Sequence, residues 1–593
     1  MSVRTATAGL AATAGAVRQE LARAAPELVP AFRAALPAAA AVVGRRLLEA
    51  LHREGLLGAG RDPHAAFGRV ECPVTPADPA ALLEPLHHPA RDQLAAEVTD
   101  ASVNLALAYA RRPAVEARAR AAAAEAQAYD LLGCAAALPD DDYAVLLERL
   151  ATEGHNLHPC GRTRLGWAPR DVLAHDLETP GTAVRLAAVR HTAHRGDDIG
   201  AALRASYPWL PAAPPGYRVQ PLHAWQLDHL LRHRPDLSGL LHPLDAPELP
   251  AVPTGALRTL LLPPAGAGSR PYRSAPERGP GGAPGTGGPP GCRYLKLSLD
   301  IQVTSTRRTI SVASTRNGPV VSALLARVLA GEPAGHRVVL LAEPAGAALD
   351  AGAGRDRDAA AILRQGLAGR LGPGEVAVPA AALTARSPLT GGTLLSELVD
   401  RYAATRGRGC RAGAALAFLT EYAALLLPPV LTLCTRYGVG FEAHLQNCLP
   451  TFVAGAPHRM VLRDLAGLRL HLPRLRARGL APRLWPGSVV ATTDVDVLRA
   501  KVAYTAFQAH LGELVLALRG SHGLDEPAAW RVVRGVVDEA YAGLAGDRAS
   551  AAAARADHAF LTAPRVPHKA LVRMRLAGGG DCYVPVHNPL HGR

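Results

Sequence analysis

Apolar and polar residues alternate strictly from Leu295 to Thr304. Leu295, Leu297, Leu299, Ile301 and Val303 fall on one face, and Lys296, Ser298, Asp300, Gln302 and Thr304 on the other. This period of two predicts one β-strand with its apolar face in the core. Shorter strands are expected at 337–342 and 375–378. Elsewhere the apolar positions follow helical spacing. Helices are expected near 319–330, 393–405, 412–426, 493–519 and 526–544, over 142–150, and as a pair in 101–132 divided at Pro113. The most apolar run, 412–434, contains Glu421 and the Pro428–Pro429 pair, which predicts a buried helix stopping at the prolines and not a membrane span. Residues 200–262 are proline-rich and read as irregular. The stretch 263–291 is almost only Gly, Pro, Ala, Ser and Arg, too poor in apolar surface to order itself, and reads as a flexible loop within a domain. The pattern predicts an α+β chain: a helical region over 1–145, a mixed region over 146–390 and a helix-rich one over 391–593.

A length of 593 residues suggests about three to five domain-sized units. Charged residues are 20% and apolar residues 49%, which excludes a disordered chain; aromatics are only 4%, so the core must be Leu, Val and Ala. The net charge of +14 would suit nucleic acid, but all but three of the 65 bases are arginines scattered along the chain, without a basic run or a nucleic-acid motif. A preference for small anions is the narrower expectation. The three lysines, Lys296, Lys501 and Lys569, follow Leu295, Ala500 and His568, so there is no Gly-Lys-Ser/Thr phosphate loop; G-x-S-x-G is also missing. The eight cysteines never pair as C-x-x-C, which argues against a zinc ribbon and for a reducing compartment. The Thr/Ala/Gly stretch after Arg4 is too weakly apolar for a signal peptide, so a soluble cytoplasmic protein is expected.

Several short segments carry candidate chemistry. Residues 441–447 alternate, and as a strand they would place Glu442, His444 and Gln446 on one face, able to hold a metal or orient a polar ligand, or simply to face solvent. Arg463-Asp464 lies inside an apolar run, as a structural ion pair or a site. His155 and His158 precede Arg162 and Arg164; cations repel a metal, so this segment reads as an anion site or a basic turn. Gly407-x-Gly409-x-x-Ala412 matches a dinucleotide fingerprint formally, but it follows a helix-like stretch and reads as a helix–helix connection.

Taken in order, five segments resemble the NRPS-independent siderophore synthetases, the aerobactin-synthetase IucA/IucC family. They are Gly154-His155-Asn156-Leu157-His158-Pro159 with Arg162, Arg164, Gly166 and Trp167; Ala256-Leu257-Arg258-Thr259; Lys296-Leu297-Ser298-Leu299 with Thr304-Ser305 and Arg308; Glu442-Ala443-His444-Leu445-Gln446-Asn447; and Arg463-Asp464. Residues 569–576 resemble the family's FhuF-like close. Three positions depart from the pattern: Asn156 stands for a proline, Arg162 for a lysine and Ala256 for a serine. The long Gly/Pro stretch resembles an insertion.

The resemblance implies a multidomain cradle of thumb (1–145), ATP-binding fingers (146–390) and palm (391–593), often dimeric, with a central mixed or antiparallel sheet. It implies ATP-dependent adenylation of a polycarboxylic acid such as citrate, then condensation with an amine or hydroxyl. His155, His158, Arg162, Arg164, Arg258, Thr259 and Lys296 would hold ATP. Thr304, Arg308, His444, Gln446 and Asn447 would hold the carboxylate, with Lys296, Arg308 and His444 catalytic. Glu442 and Asp464 would hold Mg²⁺. One geometric condition follows. Lys296 and Thr304 share a strand face eight residues apart, about 26 Å if straight, so either the site is extended or the strand bends. The alternatives are a non-catalytic homologue that binds nucleotide or carboxylate, which the changes at Asn156 and Ala256 would suit, and a nucleic-acid binder.

Overall fold

A computed structural model of the chain describes residues 9–58, 66–70, 75–266, 291–352, 356–407 and 409–592. The expected flexible loop over 263–291 falls almost wholly outside the described residues. The N-terminal region is helical as expected: Leu10–Ala24, Val29–Arg53 and Arg91–Ala126 pack through Phe32, Val43, Leu47, Leu94 and Val98. The last of these is one helix and not the expected pair. Pro113 removes a single donor, while Ala110, Val115 and Ala119 around it are buried, and that burial holds the helix through the proline.

The same correction applies at Pro428–Pro429. The helix Arg411–Tyr437 passes through both prolines and ends at Gly438, whose φ of 69° makes a left-handed cap. Phe418, Tyr422, Leu426 and Leu431 are buried, against elements that include the helix Glu526–Gly546 and the strand Ala456–Leu462. This helix and Pro26–Arg53 are long and apolar enough to cross a bilayer, but most of the apolar stretch of Arg411–Tyr437 lies inside the protein.

Among the described residues the largest sheet has nine strands, all paired antiparallel. Its order is His194–Gly196, Ala345–Leu349, Ala360–Gln365, Cys292–Leu297, Thr259–Leu261, Leu249–Pro253, Thr182–Arg190 and Tyr217–His223, with Leu241–Pro243 also on Thr182–Arg190. Much of 200–262 is therefore regular structure, contrary to the sequence reading. Its prolines are accommodated locally; Pro221, for example, sits in an edge strand. A second, mixed sheet runs Val338–Leu340, Ala456–Leu462, Cys448–Val453, Glu375–Ala377, with only the first pair parallel. The strands expected at 337–342 and 375–378 lie here.

The alternating segment 295–304 is not one strand. Cys292–Leu297 belongs to the large sheet, and Leu299–Val303 forms a separate hairpin with Thr306–Arg308. The break falls at buried Ser298, whose Oγ donates to Arg357 O at 2.7 Å and accepts from Ile310 N at 3.1 Å. The chain thus leaves one sheet for another between Lys296 and Thr304, where their spacing demanded a bend or an extended site. The segment 441–447 is also not a strand: pairing stops at Val439–Gly440, and a loop and turn follow. Burial still alternates, with Phe441, Ala443 and Leu445 buried and Glu442, His444 and Gln446 partly open. The helix expected at 493–519 spans Val495–Val502 and Gly512–His522, joined by a π-helical stretch, Ala503–Leu511.

Candidate functional site

A cavity of about 470 Å³ collects residues from all five motifs. His155, Arg162 and Arg164 come from the first, Arg258 from the second, Thr304 and Arg308 from the third, His444 and Gln446 from the fourth, and Asp464 from the fifth. Five other candidates do not line it: His158, Thr259, Lys296, Glu442 and Asn447.

Backbone strain concentrates here. Three of its lining residues, Leu257, Thr304 and Asp464, hold left-handed φ values of 59°, 57° and 63°. For a β-branched threonine that conformation costs about 1–3 kcal/mol and persists only where surrounding contacts enforce it. At Thr304 the contacts are explicit: Oγ1 donates to Val303 O at 2.5 Å and accepts from Arg308 Nη2 at 2.8 Å.

Positive charge is crowded on one wall. Arg258 Nη1 donates to Arg308 O and Thr309 O at 3.1 and 3.0 Å. Burial, with Arg258 and Arg164 nearby, pushes Arg308 down to about 9. Its Nε is buried and has no hydrogen-bond partner among the described residues. Guanidiniums brought together against their own repulsion, with a donor left unmade, form a wall that an anion would complete. Arg162 and Arg164 are less free than the sequence suggested. Arg162 bridges Glu178 at 2.8 Å and Arg164 bridges Asp176 at 2.9 Å, all four nearly enclosed. These pairs fix the loop after the first motif.

Three imidazoles line up beside that wall, with His155 6.1 Å from His158 and 6.4 Å from His444, centre to centre. In each ring Nδ1 accepts from the backbone N–H two residues on: Leu157, Cys160 and Gln446. Each neutral ring therefore carries its proton on Nε2. His158 Nε2 spends it on Ser305 Oγ at 2.6 Å, which ties the first motif to the third instead of reaching the cavity. Burial and neighbouring cations hold His155 well below the usual range and His158 at about 3; burial also lowers His444 against the pull of Glu442. These are neutral donors at pH 7.

Lys296 lies in the central strand Cys292–Leu297, paired in register with Thr259, and is enclosed. Its Nζ stands 2.7 Å from Asp464 Oδ1 and 4.0 Å from Glu343 Oε1. Burial alone would raise Asp464, but Lys296, Arg364 and Arg258 hold it far below the ordinary carboxylate range. Glu442 behaves alike: Lys501 Nζ, at 2.9 Å from Oε1, outweighs burial and lowers it. A Cβ at Gly467 would stand 1.8 Å from Glu442 Oε2, so a side chain there would displace the Glu442 carboxylate. That contact brings Glu442 against the loop that carries Asp464.

Sequence reasoning missed several residues. Glu148, in the helix Asp140–Leu150, accepts from Gly255 N at 2.7 Å and from Arg463, joining the second motif to the fifth. His510, in the π-helical stretch, bonds Ala443 O at 3.0 Å and Tyr422 OH at 2.7 Å, and so holds the fourth motif. Asn156, one of the departures from the family pattern, donates to Glu513 Oε2 at 3.0 Å and Ala509 O at 3.2 Å. Lys501 and Lys569 had a visible signal. In a chain so biased to arginine all three lysines meet carboxylates around this site: Asp464, Glu442 and, at 2.8 Å, Asp581. Lys569 also acts electrostatically on Glu442, His155 and His158.

Of the two carboxylates expected to hold magnesium, Asp464 lines the main cavity and Glu442 stands against its loop. Each is about a quarter exposed, with one oxygen taken by a lysine. Among the described residues no group of three or more His, Cys, Asp or Glu could hold a metal by itself. Mg²⁺ is commonly held by one or two carboxylates plus substrate phosphates, and of this pair Asp464 faces the cavity.

A nine-stranded antiparallel sheet and an arginine-rich cavity assembled from five separated segments define the class, an α+β protein with one cation-rich pocket at its motifs. The pattern of the IucA / IucC family matches residues 144–269 and 286–385, and that of the ferric iron reductase FhuF-like transporters matches 416–584. The chain is thus similar to the IucA/IucC family over its middle and to FhuF-like proteins over its C-terminal region. It is 26% identical over 326 residues to D-ornithine–citrate ligase of Staphylococcus aureus, covering 50% of this chain and 48% of that one, so the match spans about half the length of this relative. In fold it is similar to the petrobactin biosynthesis protein AsbB of Bacillus anthracis, with a TM-score of 0.73 at 18% identity over 95% of this chain and 98% of that one. It is also similar to ATP-bound aerobactin synthetase IucA of Klebsiella pneumoniae, with a TM-score of 0.67 at 19% identity over 93% and 100% of the two chains.

Proposed function

We propose that this chain is an ATP-dependent siderophore synthetase that adenylates a polycarboxylic acid, citrate or a citrate derivative, and condenses it with an amine or hydroxyl. The observation that carries this reading is the buried Arg308, crowded by Arg258 and Arg164, its Nε unpartnered among the described residues, at the wall of a cavity of about 470 Å³. ATP and a tricarboxylate are the polyanions such a wall suits. The names of the relatives, a citrate ligase and an ATP-bound synthetase, support the same assignment.

In the first step a carboxylate oxygen attacks the α-phosphorus of ATP. The bond to the bridging oxygen breaks, and pyrophosphate leaves. In the second the nucleophile's lone pair attacks the acyl carbon, the acyl–oxygen bond to AMP breaks, and the nucleophile's proton passes to solvent. Arg308 and Arg258 bind and orient the anionic groups, and His155 donates from Nε2 to a phosphoryl oxygen. His444, Gln446 and Thr304 position the carboxylic acid. Lys296 acts through Asp464, holding it charged. Glu442 and Asp464 would hold Mg²⁺, which supplies charge neutralisation at the phosphates.

We assign the thumb to the helical N-terminal region, the fingers to the large sheet and the palm to the second sheet and C-terminal helices. We also propose that the enzyme works on small molecules in the cytoplasm as a homodimer, a reading that rests on the family. Pyrophosphate release that requires ATP, Mg²⁺ and a di- or tricarboxylic acid tests the function. Ligand binding without turnover would instead identify a non-catalytic homologue.

A further inference from the structure

A second cavity, of about 280 Å³, lies on the other side of the turn that carries Asp464. Leu465 and Ala466, which directly follow Asp464, form part of its wall. The helix Val312–Ala330 forms another part, and residues 485–490 close it. Asn317 pins that closing segment to the helix: its Oδ1 accepts from Trp485 N at 2.8 Å, and its Nδ2 donates to Ser488 Oγ at 2.7 Å.

The two cavities differ in charge. Eight arginines and four carboxylates line the first. Glu343, Asp356 and a single arginine, Arg357, line the second. Glu343 is 1% exposed, and its Oε1 has no hydrogen-bond partner among the described residues. Gly318 packs against its other oxygen: a Cβ there would stand 3.2 Å from Glu343 Oε2. A buried carboxylate without a hydrogen-bonding donor at one oxygen is costly unless a ligand supplies one. Burial raises Glu343 against the pull of Lys296, and a bound cation would favour its charged form. Trp485, 37% exposed, adds an indole face, the best aromatic partner for a cation.

An ammonium is repelled by the arginine wall of the first cavity and drawn to the second. We propose that the second cavity binds the amine that the condensation consumes, as a primary alkylammonium, with Glu343 as its buried contact and Trp485 beside it. This rests on the synthetase reading above. Glu343 Oε1 lies 4.0 Å from Lys296 Nζ, which itself contacts Asp464 of the first cavity, so the two sites are one side chain apart.

The test separates the amine site from the adenylation site. Ala313 lines the second cavity and not the first. Ala313→Phe should leave ATP- and citrate-dependent pyrophosphate release, and hydroxylamine trapping of the activated acid, within twofold of the unaltered protein. Amide formation with 1,4-diaminobutane, 1,3-diaminopropane or ornithine should show KM raised at least tenfold. Ser314→Phe gives the same reading should Ala313→Phe fail to fold, and Glu343→Gln should raise the same KM about tenfold. An unchanged amine KM in folded variants would overturn the assignment, as would an unaltered enzyme that reacts with hydroxylamine and with none of the three amines. An unaltered protein that releases no pyrophosphate with any polycarboxylic acid would overturn the synthetase reading, and this inference with it.

Discussion

The Lys296 ammonium lies 2.7 Å from Asp464 Oδ1, and neither can readily leave the other. The lysine is enclosed in the central strand of the large sheet, and Asp464 is held at a left-handed φ of 63° on the loop after Ala456–Leu462. The pair joins the two sheets, so Lys296 has a structural duty as well as a functional one. Removing one partner of a buried pair typically costs about 3–5 kcal/mol, because the other charge stays buried. Lys296→Ala should abolish pyrophosphate release and lower stability by about 3 kcal/mol, read by chemical denaturation. Lys296→Ala with Asp464→Ala should recover part of that stability and none of the activity. Unchanged stability in the single variant would contradict the pairing.

Arg308 should behave in the opposite way. Its guanidinium sits near Arg258 and Arg164, and burial and that repulsion lower it to about 9. Arg308→Met relieves like-charge repulsion but also removes the donor to Thr304 Oγ1, so the ligand-free protein should lose no more than about 1 kcal/mol of stability. Pyrophosphate release should fall by at least 100-fold. A large loss of melting temperature would show that Arg308 is a structural cation.

The acid limb of stability should follow the buried histidines. Burial lowers His158 to about 3 and His510 to about 4, against about 6.5 in an unfolded chain. Between those values the unfolded chain binds protons that the folded one does not. Stability present above pH 6.5 is therefore lost as pH falls toward 3. The urea midpoint should drop between pH 6.5 and 4.5, by the equivalent of about 2 kcal/mol for His158 alone. His158→Gln removes that titration and should flatten the slope; an unchanged slope would contradict the assignment.

The helices expected at 393–405 and 526–544 were legible because burial and periodicity agree in a single segment. The break at Ser298 was not. It depends on Arg357 O and Ile310 N, groups brought in by folding, while the alternation through 295–304 continues across it. The segment 441–447 misled in the same manner. Its period of two reflects a chain running between core and cavity, which needs no ladder. Helices through Pro113 and Pro428 survive because tertiary burial outweighs a missing donor. The motif residues were visible, but their partners were not. Glu148 pairs with Arg463, and Asp176 with Arg164, and nothing in the local sequence marks either acid.

The Gly/Pro stretch can be tested through its anchors. Thr259–Leu261 and Cys292–Leu297 are antiparallel neighbours, with Leu261 opposite Tyr294 and Leu262 N donating to Arg293 O at 2.8 Å. The stretch therefore connects two strands that already form a hairpin. Deleting 267–289 leaves a short connection, and shortening a long loop alters closure entropy only slowly with length. The melting temperature should stay within about 2 °C, since about 1 kcal/mol shifts even a large domain by about 2–4 °C. A fall well beyond that range would show that the stretch packs on the body of the protein.

Ala256 offers a gain of function. It lines the main cavity between Gly255, whose N–H donates to Glu148, and Leu257, with its left-handed φ of 59°. Its own N–H donates to Thr254 Oγ1 at 3.4 Å, and Thr254 Oγ1 donates to Thr259 O at 2.8 Å. The turn is thus held by contacts that a hydroxyl on Cβ would not disturb. Restoring the serine of the family pattern should add one hydrogen bond to a phosphoryl oxygen, a net effect of about 0.5–1.5 kcal/mol. Ala256→Ser should therefore lower the KM for ATP by about two- to tenfold, with the KM for the carboxylic acid unchanged. A shift in the acid's KM and none in that for ATP would reverse the two subsites, placing the carboxylate and not the nucleotide against the 254–259 turn.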